Sequence, residues 1–154
     1  MLFLGEYAIL KAEKIGRSVR MRLIVCLDDR GGMSFGGRRQ SQDRVLRARV
    51  MEVTGGERLY MSEYSARQFA DCEGFIADNG YRGRAGRGDS CFLEDGDVSL
   101  EGVTELVIYR WNRHYPSDRK FPYDPEACGF VKIASADFEG SSHEKITEDI
   151  YKRV

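Results

Sequence analysis

The stretch "RLIVCLDDRGGMSFGGRRQSQDRVLRARV", residues 22–50, decides the architecture. Residues 22–28 form a largely apolar run with β-branched members and no turn residue, the pattern of a strand covered on both faces. The run ends at Asp28-Asp29 and enters a loop carrying Gly31, Gly32, Gly36 and Gly37 among arginines. Ser41 then stands where a helix N-cap belongs, with Asp43 in the first turn, where a carboxylate suits the helix dipole. Leu46, Val50 and Val53 recur on one helical face, and Gly55-Gly56 ends the helix. A buried strand, a loop and an amphipathic helix are the opening of an α/β unit.

Working outward, "RLYM" (58–61) reads as a second buried strand and "SEYSARQF" (62–69) as a short helix directly after it. "FIAD" (75–78) and "CFLE" (91–94) are further short strands, separated by a polar, glycine-rich stretch. "TELVIYRWN" (104–112) is the longest strand candidate. "FVKIAS" (130–135) and "KITEDIYKR" (145–153) form a closing antiparallel pair. Strands alternate with helices first and then stand alone. The expectation is therefore a single α/β domain with a mainly parallel central sheet and an antiparallel C-terminal edge.

The chain has 154 residues, enough for one domain with a real core. Its 42% hydrophobic and 32% charged residues are those of a globular protein rather than a disordered one. No apolar run approaches the roughly 18 residues of a membrane span, so no membrane partner is expected. A formal charge of −1 gives no global attraction to nucleic acid. Locally the charge is uneven: residues 30–49 hold six arginines against Asp43 alone, and 137–149 hold five acids against Lys145. The four cysteines show no CxxC spacing and fit free thiols in a reducing cytoplasm. Residues 1–20 do not make a signal peptide, because Glu6 interrupts the apolar region. They read either as a short extra helix or as an extension upstream of Met21, leaving 21–154 as the domain.

Three fragments together resemble the dihydrofolate reductase superfamily. "DDRGGM" is similar to that family's mobile-loop entry, with Asp43 opening the next helix where the family places its substrate-binding carboxylate. "RLYMSEYSARQF" is similar to its strand, cofactor turn and helix. The segment 104–154, including "DRKFP" (118–122), is similar to its C-terminal third. The resemblance covers 21–154. It implies a dihydrofolate-reductase-like fold, NADPH as cofactor and a small pterin-type heterocycle as substrate. Asp43 would then orient or protonate that substrate. Gly32, Met33 and Ser34 would close as a lid on the nicotinamide, and Ser65 and Gly96 would contact the cofactor.

The departures from the family fall on the chemistry. Its proline-tryptophan pair between loop and carboxylate is replaced by "GGRRQSQ". Its glycine-arginine-x-threonine turn reads "SEYS", putting Glu63 where an arginine would grip phosphate and Ser65 in place of threonine. An acid there repels a phosphate. The family's Gly-Gly after the next strand reads Glu94-Asp95, with Gly96 retained, and side chains obstruct the close backbone approach that glycines permit. The segment from Phe69 to Cys91 is shorter than the family's. Tyr109 falls where the family has a small hydroxyl residue, and it would fill part of the pocket.

Two functions from different classes follow. One is an NADPH-dependent reductase of a small heterocycle. The other is a non-catalytic binding or regulatory protein that keeps the fold and uses its arginines to hold an anionic small molecule or nucleic-acid fragment. No GxxxxGK[ST] phosphate loop is present. "GYRGRAGRGDS" (80–90) has arginines and a tyrosine in the manner of an RNA-contacting segment, but the neutral total charge argues against a nucleic-acid partner. "SSHEKITED" (141–149) has Thr147 where a zinc-binding HExxH helix needs its second histidine, so no metal is expected and His143 is assigned a structural hydrogen bond. Whether the protein forms a homo-oligomer stays open.

Overall fold

A computed structural model describes residues 21–154; both readings of residues 1–20 lie outside the described residues. Strand β1 (Arg22–Leu27) lies near the middle of a seven-stranded sheet. It pairs in parallel with β6 (Ser90–Phe92) and β7 (Glu105–Arg110). Beyond β6 lie β4 (Leu59–Met61) and β5 (Phe75–Ala77), also parallel. Beyond β7 lie β10 (Ile146–Arg153) and the edge strand β9 (Phe130–Phe138), both antiparallel to their neighbours. The sheet is thus parallel with an antiparallel C-terminal edge, as the pattern of elements predicts.

Alternation along the strands divides the core in two. Leu23, Val25 and Leu27 of β1 join Leu106 and Ile108 of β7 on one face. Ile24, Val107 and Tyr109 lie on the other, beneath helix α1 (Arg44–Val53). Helix α1 meets that face with Leu46 and Val50, one turn apart and both buried. Each is worth roughly 1.5–3 kcal/mol of burial. Phe69, from the 3₁₀ turn Arg67–Phe69 that follows the short helix α2 (Glu63–Ala66), packs edge-on against Phe92 at 5.3 Å and closes this layer. The polar, glycine-rich stretch between β5 and β6 contains one further short helix, α3 (Tyr81–Arg84).

The expected lid is instead a second small sheet. Residues Gly32–Phe35 form β2, hairpinned to β3 (Arg38–Arg39) and paired on its other side with β8 (Arg119–Lys120). Asp28 closes the entry: its Oδ1 accepts the N–H groups of Arg30 and Gly32 at 2.9 and 2.8 Å. Gly36 and Gly37 make the two-residue turn at φ 60° and 75°, where both central positions need the left-handed region. Gly32, Met33 and Ser34 are buried in this hairpin.

Candidate functional site

Open α/β sheets bind ligands outside the carboxyl ends of their parallel strands, so that end is where chemistry is sought. Four features meet there. They are the N-terminus of α1, the β9–β10 turn (139–145), the residues following β7, and Glu94-Asp95 following β6.

Asp43 is the N-cap of α1 itself rather than a first-turn acid. Its backbone is extended (φ −154°, ψ 129°) and its Oδ1 accepts the N–H groups of Val45 and Leu46 at 2.9 and 3.2 Å. The Ser41 cap read from sequence is displaced by two residues, because the Asp43 carboxylate reaches those donors directly. The β9–β10 turn then folds over the same carboxylate. Ser141 N donates to Oδ1 at 3.0 Å, and Ser142 N and Oγ donate to Oδ2 at 2.9 and 3.2 Å. His143 Nδ1 stands 2.9 Å from Oδ2. Six protein donors therefore surround a side chain that is only 2% exposed. Burial alone would raise its pKa. The N–H groups of Ser142, Ser141 and Leu46 and the imidazole of His143 outweigh it and hold the carboxyl well below its usual range.

Gly140 makes this approach feasible. A Cβ there would come within 2.9 Å of Asp43 Cγ and 3.0 Å of Oδ1. Gly140→Ala is therefore expected to push the turn off the cap and cost about 1–3 kcal/mol. The urea midpoint should fall with an unchanged m-value; a midpoint equal to wild type would show that the turn yields without cost.

His143 continues outward. Its ring stacks on Trp111 with centroids 4.6 Å apart. Its Nε2 lies 3.0 Å from both Ser41 Oγ and Tyr115 OH. The structural hydrogen bond expected of His143 is present, but with Asp43 as a partner a hundred residues away.

Tyr109, where the family has a small hydroxyl residue, is fully buried beside this cluster. Its hydroxyl donates to Glu148 Oε2 at 2.8 Å, and Arg49 completes the group with two 3.1 Å bonds to the same carboxylate. Burial, followed by the Glu148 charge, pushes the Tyr109 hydroxyl far above its usual pKa, so it stays a neutral donor. The expected plug is therefore hydrogen-bonded in place.

The residues expected to hold cofactor are engaged as follows. Ser34 Oγ donates to Asp95 at 2.7 Å. Arg39 Nε donates to both oxygens of buried Glu94 at 3.0 and 3.2 Å, while its guanidinium lies 4.2 Å over the Tyr64 ring. Ser65 is buried, its N–H and Oγ both bonded to Ser62 Oγ. Glu63 is exposed and bonded to Asn79. Gly96 has φ 103° in a half-buried turn. Met33 is core. Three acids and an ion pair thus stand where the resemblance places nicotinamide and phosphate. These residues do not fit a dinucleotide as they stand.

The arginine cluster divides rather than gathers. Arg39 and Arg49 are paired internally, and Arg47 lies 3.9 Å from Asp71. Arg30, Arg38 and Arg44 are exposed without an ion pair among the described residues. A cavity of about 560 Å³ opens beside the β9–β10 turn, lined by Trp111, Asn112, Arg113, Ser142, Glu144 and Lys145. Asn112 turns its backbone to φ 58° to enter it. A larger cavity, about 710 Å³, lies at the opposite, amino ends of the strands, around Met21 and Thr104. All four cysteines are free; Cys91 is buried and the others are half-buried. Among the described residues no helix is long and apolar enough to cross a membrane, and no group of three His, Cys, Asp or Glu side chains is placed to hold a metal.

Comparison with known proteins finds a likeness in structure and none in sequence. No family model matches the sequence, and no curated protein matches it by sequence. In structure, the chain is similar to the dihydrofolate reductase from Enterococcus faecalis, solved with NADP(H) and RAB-propyl. The TM-score is 0.62 at 12% identity, over 88% of this chain and 97% of that one. The fold is that of dihydrofolate reductase, and at such identity the likeness is one of fold.

Proposed function

We propose that this chain uses a dihydrofolate-reductase-like fold to bind a small anionic molecule, and that it does not transfer hydride. The observation that carries this reading is the saturation of Asp43. A carboxylate that would orient a pterin by paired hydrogen bonds needs free lone pairs, and here protein donors take them. Tyr109 and the Arg39–Glu94 pair support the same conclusion from two other sides. The anion is assigned to the cavity beside the turn, where Arg113 and Lys145 outnumber Glu144. Exposed Arg44 is tied to the same turn, its backbone N–H donating to Ser141 Oγ next to the cavity-lining Ser142. Planar Arg113 suits a carboxylate or phosphate, and Trp111 supplies an apolar wall.

Thermal melts in millimolar inorganic phosphate or citrate should rise by a few degrees in wild type, and the rise should vanish in Arg113→Ala and Lys145→Ala. A rise of equal size in those variants would move the ligand elsewhere.

The second reading, NADPH-dependent reduction of a pterin-type heterocycle, is favoured by the NADP(H) bound in the similar reductase. It requires the 139–145 turn to leave Asp43. Saturable binding of NADPH, with oxidation that depends on added dihydrofolate, would restore it. No melting shift with NADPH at millimolar concentration removes it.

A further inference from the structure

Asp43, His143 and Ser41 stand in the order carboxylate, imidazole, hydroxyl. Asp43 Oδ2 is 2.9 Å from His143 Nδ1, and His143 Nε2 is 3.0 Å from Ser41 Oγ. We propose that Ser41 is an activated nucleophile, with His143 as its general base and Asp43 as the positioning residue, acting on esters or thioesters of small carboxylic acids. This is independent of what the Arg113–Lys145 cavity holds.

The geometry assigns each proton. Asp43 is ionised and can only accept, so His143 presents N–H at Nδ1, and in the neutral ring that leaves the lone pair at Nε2. Two hydroxyls face that lone pair. Tyr115 OH is also 3.4 Å from Ser41 Oγ and placed to donate to it. One donor chain satisfies every group: Tyr115 to Ser41, Ser41 to His143, His143 to Asp43. Trp111 stacked on the imidazole and the N–H groups on Asp43 fix the ring that a relay must hold still. His143 is 6% exposed, whereas Ser41 is half-buried. The cluster also lies at the carboxyl end of β7, the end where such sheets place ligands.

The reaction balances without a redox partner. Ser41 Oγ bonds to the carbonyl carbon while its proton passes to His143 Nε2. The bond to the alcohol or thiol breaks, and that group leaves with the proton from Nε2. Water then attacks acyl-Ser41, giving a proton to Nε2, and the acyl–Oγ bond breaks as Ser41 regains its proton. The products are an acid and an alcohol or thiol.

The test uses the full chain with p-nitrophenyl acetate and, separately, a fluorophosphonate, followed by intact mass and peptide mapping. The expected result is one adduct, on Ser41, formed roughly 10²–10⁴-fold faster than in the urea-unfolded chain. Its rate in wild type should depend on pH, as general-base activation through the His143 imidazole requires. Asp43 and Tyr115 are the titratable groups in contact with that ring. Ser41→Ala should give no adduct, and His143→Gln should lose that pH dependence and about a hundredfold in rate. An adduct on Tyr115, no adduct at all, or equal labelling of folded and unfolded chain would overturn the proposal. The last three readings come from wild type, so they decide the matter even where a variant fails to fold.

Discussion

Asp43→Ala should lower stability by about 3–5 kcal/mol, far more than loss of an ordinary helix cap at about 1 kcal/mol. The cap bonds to Val45 and Leu46 are the smaller part of the effect. The larger part is that buried His143 Nδ1 loses its acceptor where water enters poorly, and Ser141 N and Ser142 N lose theirs in the turn above it. The sign with pH is fixed by the depressed pKa. Its contribution is fully present above the unfolded carboxylate value of about 3.9, and is lost as pH falls through the folded value. Wild-type stability should therefore drop in acid, and Asp43→Ala should drop less. Asp28 and Asp149, whose pKa values are also lowered, leave a remainder in the variant. Urea unfolding at neutral pH and again in acid measures both. A neutral-pH loss near 1 kcal/mol would mean that the turn finds water easily and that Asp43 is free enough to meet a ligand.

The sheet was legible because its signals are local. The apolar runs at 22–27 and 105–110 are covered on both faces, and Leu46 and Val50 sit at helical spacing. The second small sheet was not read, although Gly36-Gly37 between Phe35 and Arg38 is a two-residue hairpin signal. Arginines on both sides made the segment look like a ligand loop. Asp43 stood out as the first acid of a helix, yet its partners at 141–143 are set by a turn joining two distant strands. Nothing in the spacing of residues 41–46 announces them. Ser41 reads locally only as a cap, because the imidazole it bonds arrives from the other end of the chain. Tyr109 is the opposite case. The family resemblance, which puts a tyrosine in place of a small hydroxyl residue, implies a filled pocket, and Tyr109 is held by a bond to a specific partner, Glu148.

That filling sets the second large effect. Tyr109→Ala should cost about 3–5 kcal/mol, the range for emptying an aromatic site in a packed core. Most of the loss is contact with its layer, including Phe138, edge-on at 6.3 Å. Glu148 keeps Arg49, so the carboxylate is not stranded. The hole left has the shape of a phenol with an acceptor at its end. Added 4-methylphenol should therefore raise the melting temperature of Tyr109→Ala while leaving wild type unmoved, and benzene should do less because it cannot donate to Glu148. Rescue by both to the same degree would show that Tyr109 serves only as volume. No rescue by either would show that α1 and β10 collapse into the gap, and the cleft would then be closed by the packing of the whole layer rather than by one side chain. Rescue by 4-methylphenol alone leaves one tyrosine between this protein and a phenol-sized pocket with Glu148 at its end.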